Sequence, residues 1–233
     1  MQNFQNMKIL TLDDCEYLTH IPDVSGLQNL EKFSFDGCHN LITIHNSIGR
    51  LNKLERLSAY DCRELKHFPP LGLASLKELN LSECESLDSF PELLCKMAHI
   101  KVIDLSYTSI GEIPFLFQNL SELDELSIVF SNLTELSLSH CNLSDECFQI
   151  VLKWCVNVEE LVFTNNNFKI IPECVSEFHH LKRLYLAGCT SLEEIRGIPP
   201  NLERLSAYKC NSLSSSSRRM LMSQVSCCFI YNI

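Results

Sequence analysis

One phrase, apolar-x-x-Leu-x-Leu-x-x-small, recurs along almost the whole of this 233-residue chain and leaves few folds open to it. Its first copy runs from Met7 through Leu10, Leu12 and Cys15 to Leu18 and Ile21-Pro22. It returns at Leu30, Leu54, Leu76, Ile100, Leu133, Val158, Leu181 and Leu202, nine copies in all, most of them 21 to 25 residues apart. A period of that length marks a solenoid, whose units cannot bury their apolar faces alone and do so by stacking. Leu-x-Leu turns both leucines to one side of a short strand and the residue between them to the other. The expected fold is an α/β repeat: a solenoid with a short parallel β-sheet on its concave face and a mostly irregular convex side. A partial copy, Leu123-x-x-Leu126-x-Ile128, is followed by Leu133 only ten residues after it starts, so a truncated repeat is expected near 123–132. The repeats are assigned to residues 1–213, and an exit segment with a tail that breaks the pattern to 214–233.

The return path of each coil is short. Ile21-Pro22, Phe68-Pro69, Phe90-Pro91, Ile113-Pro114 and Ile171-Pro172 hold it extended or turned, because proline fixes its own φ and restricts its predecessor. One coil differs. Residues 144–155 open with a serine and two acids and continue with apolar residues at helical spacing, which predicts a convex-side helix. The first coil, around Phe4, Met7, Ile9 and Leu10, has no visible cap and is expected to expose its apolar edge.

Seven of the 13 cysteines, Cys15, Cys38, Cys62, Cys84, Cys141, Cys189 and Cys210, share one repeat position, where other coils carry Thr108 and Asn166. All three residue types are small donors, and the position lies where the backbone turns away from the strand and leaves carbonyls without ladder partners. A ladder of donors along the turn is expected. A straight column is a poor tetrahedral cage, so neither a metal nor another cofactor is predicted.

The formal charge of -10 disfavours phosphate backbones and anionic lipid, so nucleic acid and membrane are not expected partners. No apolar run approaches a membrane span, and the first residues lack a secretory pattern. The expectation is a cytoplasmic or nuclear protein with free thiols.

Lines such as LERLSAYDCRELKHFP, LKELNLSECESLDSFP and LKRLYLAGCTSLEEI resemble the leucine-rich-repeat region of plant intracellular nucleotide-binding immune receptors. The likeness is strongest to the class with a Toll/interleukin-receptor-type domain, with a legume-like flavour in NLSDECFQIVLKWC, and it covers residues 1 to about 224. It implies a repeat region that binds protein, for effector recognition or autoinhibition. The implied partners are a pathogen effector, a guarded host protein or a receptor's nucleotide-binding domain. No G-x-x-x-x-G-K-[ST] loop occurs, so nucleotide binding is not carried over, and with Met1 directly before the first coil a truncated receptor is expected. The rival reading is the substrate-recognition array of a ubiquitin ligase, which resembles longer, helix-bearing repeats behind an F-box.

The outward strand positions are the expected binding face. Tyr60, Tyr107, Tyr185 and Tyr208 are candidate anchors, with Tyr185 and Tyr208 forming one patch with Arg183, Arg204 and Lys209. Asp13-Asp14 and Glu159-Glu160 point apart rather than into a pocket, and His179-His180 lacks the spacing of a helical metal site. No catalytic constellation is found, and the chain is not expected to be an enzyme. Ser214–Ser217 is read as a solvated exit.

Overall fold

The computed structural model describes residues 4–110, 132–148, 151, 155 and 157–224. Nine three-residue strands carry the outward positions: β1 (Ile9–Thr11), β3 (Lys32–Ser34), β5 (Arg56–Ser58), β6 (Glu78–Asn80), β7 (Val102–Asp104), β8 (Glu135–Ser137), β9 (Glu160–Val162), β11 (Arg183–Tyr185) and β13 (Arg204–Ser206). They form one parallel sheet in chain order, with Leu10, Phe33, Leu57, Leu79, Ile103, Leu136, Leu161, Leu184 and Leu205 paired in a single row. From Phe33 onward every member of that row is buried, as are the leucines or phenylalanines at the neighbouring inward positions. The strands stay short because each coil turns within a few residues, and they are parallel because every coil winds the same way.

The convex side is largely turns. Two two-stranded pairs form there, β2 (His20–Ile21) with β4 (Thr43–Ile44) and β10 (Ile170–Ile171) with β12 (Glu194–Ile195). Ile21 and Ile171 end such strands and their prolines stop them, as the Ile-Pro phrases lead one to expect. Two 3-10 helices, Asn46–Arg50 and Glu173–Glu177, fill other coils. Cys147, Phe148 and Val151 are helical and buried, with Phe148 edge-on to Phe163 and Phe168 at 5.5 and 5.1 Å. That is the helix-bearing coil of the sequence reading. Close packing between coils shows at Gly49, where a Cβ would stand 1.9 Å from the Pro70 carbonyl oxygen.

β7 and β8 are direct neighbours although Ile103 and Leu136 are 33 residues apart, against 21 to 25 elsewhere. The truncated repeat expected near 123–132 lies, apart from Asn132, outside the described residues, as does Ile113-Pro114.

The two ends differ. At the first coil Phe4 and Ile9 are 55% and 60% exposed, while Met7, Leu10, Leu12, Leu18 and Leu27 are only partly buried. The apolar edge expected there is present. At the other end the expectation of a solvated exit is corrected: α1 (Ser215–Gln224) packs on the last coil with Leu221 fully buried and Ser217 nearly so. The Ser217 hydroxyl accepts the Ile195 backbone N–H at 3.1 Å, so a polar-looking serine run forms the first turn of a cap. Its periodicity is weak because only one face of a single short helix needs to be apolar.

Candidate protein-binding face

The turn that follows each strand fixes the face. In all nine coils among the described residues, the residue before the cysteine column adopts left-handed backbone, φ 54 to 74°: Asp14, Gly37, Asp61, Glu83, Tyr107, His140, Asn165, Gly188 and Lys209. Non-glycine residues rarely adopt this conformation without compensation. Compensation comes from a second ladder. The N–H of each such residue in the first eight coils donates to a carbonyl of the next coil at 2.7 to 3.0 Å, from Asp14 to Asp36 through Gly188 to Tyr208. The sharp turn makes a rim along one side of the sheet, and the side chains at this position stand on it.

Behind the rim runs the cysteine column. The thiols of Cys38, Cys62, Cys84, Cys141, Cys189 and Cys210 donate at 3.0 to 3.2 Å to the carbonyls of Leu12, Phe35, Ala59, Leu105, Phe163 and Leu186, each the residue after the strand in the preceding coil. Several of these sulfurs also receive a backbone N–H of the preceding column residue, Cys15 to Cys38 and Asn166 to Cys189 among them. Asn166 does both jobs with an amide: its Nδ2 donates to Leu138 and Phe163 carbonyls at 2.8 and 2.9 Å, and its Oδ1 accepts from Cys141 and Leu143 N–H at 3.2 and 3.0 Å. Thr108 turns instead to the Leu105 carbonyl of its own coil, at 2.7 Å. Burial pushes the thiols of Cys141 and Cys210 up to about 11 and that of Cys189 to about 12, which keeps them neutral donors. Cys15, in the first coil, is exposed. Among the described residues no group of three His, Cys, Asp or Glu is placed to hold a metal ion.

The concave face itself is polar and largely self-neutralised. Neighbouring strands exchange opposite charges: Lys8 with Glu31 at 2.7 Å, Lys77 with Glu55 and Lys182 with Glu159 at 2.8 Å, Arg56 with Glu78 at 2.5 Å, and Arg183 with Glu160. Small polar groups interlock between these pairs. Asp36 accepts the Ser58 hydroxyl and the Tyr60 N–H, Ser106 and Ser137 share a 2.6 Å bond, and Thr164 donates to Ser139. Exposed pairs of this kind add little stability individually but hold their side chains in place.

The four candidate tyrosines do not form one row. Tyr185 is the only one on a strand, in register with Val162 on one side and Ser206 on the other. Tyr60 and Tyr208 stand one step before the rim in coils three and nine, and Tyr107 is on the rim itself in coil five. Tyr107 stacks on His140 at 4.1 Å and 16°, and His140 Nε2 lies 2.7 Å from Asn165 Nδ2. Burial lowers the pKa of His140. The expected patch is assembled in part: Arg183 lies in register with Arg204, and Lys209 sits over the Tyr208 ring at 5.3 Å, but Arg183 is held by Glu160. The rim conformation was not foreseen; its one sequence signal is the glycine before Cys38 and Cys189.

A family model described as the LRR repeats of FBD-associated F-box protein At5g56370 matches residues 87–227, and a general Leucine Rich Repeat model matches 75–97. Among curated relatives, the chain is 31% identical over 215 residues to Disease resistance protein RPP4 of Arabidopsis thaliana, covering 88% of this chain and 19% of that protein. It is 30% identical over 208 residues to TMV resistance protein N of Nicotiana glutinosa, covering 89% of this chain and 15% of that one. The chain therefore spans less than a fifth of these relatives. Among solved structures, internalin C2 of Listeria monocytogenes aligns at TM-score 0.59 and 16% identity, over 97% of this chain and 82% of that one. The leucine-rich-repeat domain of the type III effector XopL aligns at 0.56 and 19%, over 95% and 75%. These two likenesses concern the fold alone. No helix among the described residues is long and apolar enough to cross a membrane.

Proposed function

The chain belongs to the leucine-rich-repeat family, whose model matches more than half of it, and on that premise we propose that it is the protein-binding repeat region of a plant disease-resistance protein. The proposed class is that with a Toll/interleukin-receptor-type domain, acting in the cytoplasm or nucleus. The repeats serve effector recognition or autoinhibition, and the partner is a pathogen effector, a guarded host protein or a nucleotide-binding domain. The observation that carries this reading is the continuous nine-strand ribbon of ordered polar side chains, in a chain about 30% identical over nearly all its length to resistance proteins. A rigid, pre-organised surface loses little conformational entropy on binding, which suits specific protein recognition.

Tyr185 and the exposed Tyr60, Tyr107 and Tyr208 are the proposed anchors, each a large ring at low entropic cost. The ubiquitin-ligase reading has in its favour only the origin of one repeat model and a single helical coil, and it is set aside. The test is affinity capture from leaf extract of an infected plant. Tyr185→Ala with Tyr208→Ala should lose a protein that the wild-type chain retains. Ile42→Ala with Leu94→Ala, exposed on the convex side, should keep it. Loss by the convex pair alone would overturn the assignment of the face.

A further inference from the structure

Charge is distributed very unevenly along this solenoid. Up to Asn201 the chain holds 15 Lys+Arg against 28 Asp+Glu, whereas the last coil and its cap, residues 202–233, hold four against one, Glu203. The last coil and its cap are therefore a cationic end on a strongly anionic body. Those cations are also arranged. Arg204 is exposed on β13 and in register with Arg183, and Glu160 neutralises only Arg183. Like charges directly opposite each other on neighbouring strands are unfavourable, so Arg204 is a cation awaiting a counter-charge. Lys209 is exposed on the rim, its ammonium fixed over Tyr208. Arg218 reaches back from α1 to the Asn211 and Leu213 carbonyls at 3.1 and 3.0 Å, which brings a third cation onto the same coil. Among the described residues neither Arg204 nor Lys209 forms an ion pair.

We infer that this end of the concave face, built on Arg204, Tyr208, Lys209 and the neighbouring Tyr185, binds an acidic polypeptide segment of the partner protein. The inference rests on the concave-face reading above and adds the chemistry of the partner. The occupant is a short acidic segment rather than a long polyanion. An extended nucleic acid or an anionic membrane would overlap the body, whose net negative charge repels it beyond the first few contacts. Successive carboxylates of one peptide meet Arg204 and Lys209, and the tyrosine rings give its backbone an apolar flank.

The experiment uses the full chain and a fluorescein-labelled peptide of alternating glutamate and glycine, read by fluorescence anisotropy. Saturable binding is expected at about 0.1 M salt and should largely vanish at about 1 M, where the screening length falls from about 10 Å to about 3 Å. R204E combined with K209E should weaken it about tenfold or more. The neutral pair R204Q with K209Q should lie between, and both positions are exposed, so folding is monitored by an unchanged melting curve. No binding, or binding indifferent to both pairs, overturns the inference. Equal affinity for single-stranded DNA or anionic vesicles overturns the choice of a peptide, and a dimer in sedimentation without peptide assigns the surface to a second copy instead. If the peptide fails while the tyrosine variants still lose the leaf protein, only this inference falls; if both fail, the concave-face reading falls with it.

Discussion

Replacing Asn166 with alanine removes the most heavily used side chain in the column. Asn166 is 1% exposed, and its amide satisfies the carbonyls of Leu138 and Phe163 and the N–H groups of Cys141 and Leu143. An alanine satisfies none of them, and no solvent reaches the site. At about 1 kcal/mol for each of the four bonds the cost is about 4 kcal/mol. Asn166→Cys is the discriminating variant. A thiol reaches the preceding coil's carbonyl and accepts its column N–H, as Cys189 and Cys38 do, and forgoes only the bonds to Phe163 and Leu143. That variant should cost about 2 kcal/mol by the same count. Urea unfolding followed by circular dichroism reads both. With a slope of about 3 kcal/mol/M for a chain of this size, the midpoint should fall by about 1.3 M for alanine and by about half that for cysteine. An alanine variant within about 1 kcal/mol of the parent, or a cysteine variant no better than alanine, would show that the column is packing and not hydrogen bonding.

Gly49→Ala forces a Cβ against the Pro70 carbonyl, a backbone atom that cannot swing away, and should destabilise by about 3 kcal/mol in the same unfolding assay. Gly188→Ala meets the movable Asn165 side chain, although its φ of 74° adds strain, and should cost less. The column thiols set an alkaline limit. Raised folded-state values mean their stabilisation is complete below the ordinary value of 9.0 and is lost as pH rises towards about 11. The urea midpoint should decline over that window, with a shallower decline in Cys141→Ser; Ellman's reagent at pH 8 should label Cys15 fastest of the seven column cysteines. Leu221→Ala, at a fully buried position of the cap, should cost about 3 kcal/mol and speed amide hydrogen exchange first in the last coil, at Ala207 and Leu213.

The sheet was legible because its signal is redundant. Nine large apolar residues, seven of them leucine, at the register of Leu57 and Leu79 mean that any one coil read wrongly is corrected by its neighbours. The column could be read because Cys, Thr and Asn share one property, donation from a small side chain, and their interchange at one position isolates it. The rim could not be read. Left-handed backbone usually announces itself by glycine, yet here Asp14, Asp61, Glu83, Tyr107, His140, Asn165 and Lys209 adopt it, all but Lys209 stabilised by N–H bonds to the next coil that no local pattern encodes. For the same reason the tyrosines looked like one set. Spacing alone does not separate a strand position such as Tyr185 from a rim position such as Tyr107. The cap at Ser215–Gln224 was missed because a single helix has no repeats to confirm it, and its serines read as solvent-facing until Ser217 is seen bonded to Ile195.

Distances between spin labels on outward strand positions test the stack itself. Labels introduced by a chemistry that spares the cysteines, at Lys32 with Glu135 and at Lys32 with Arg204, span four and seven strand steps. At about 4.8 Å per step, double electron–electron resonance should give about 19 Å and about 34 Å between backbones, the longer one slightly shortened by curvature. Two distances that do not grow with the number of intervening coils would mean that the leucines do not stack and that there is no concave ribbon to bind anything.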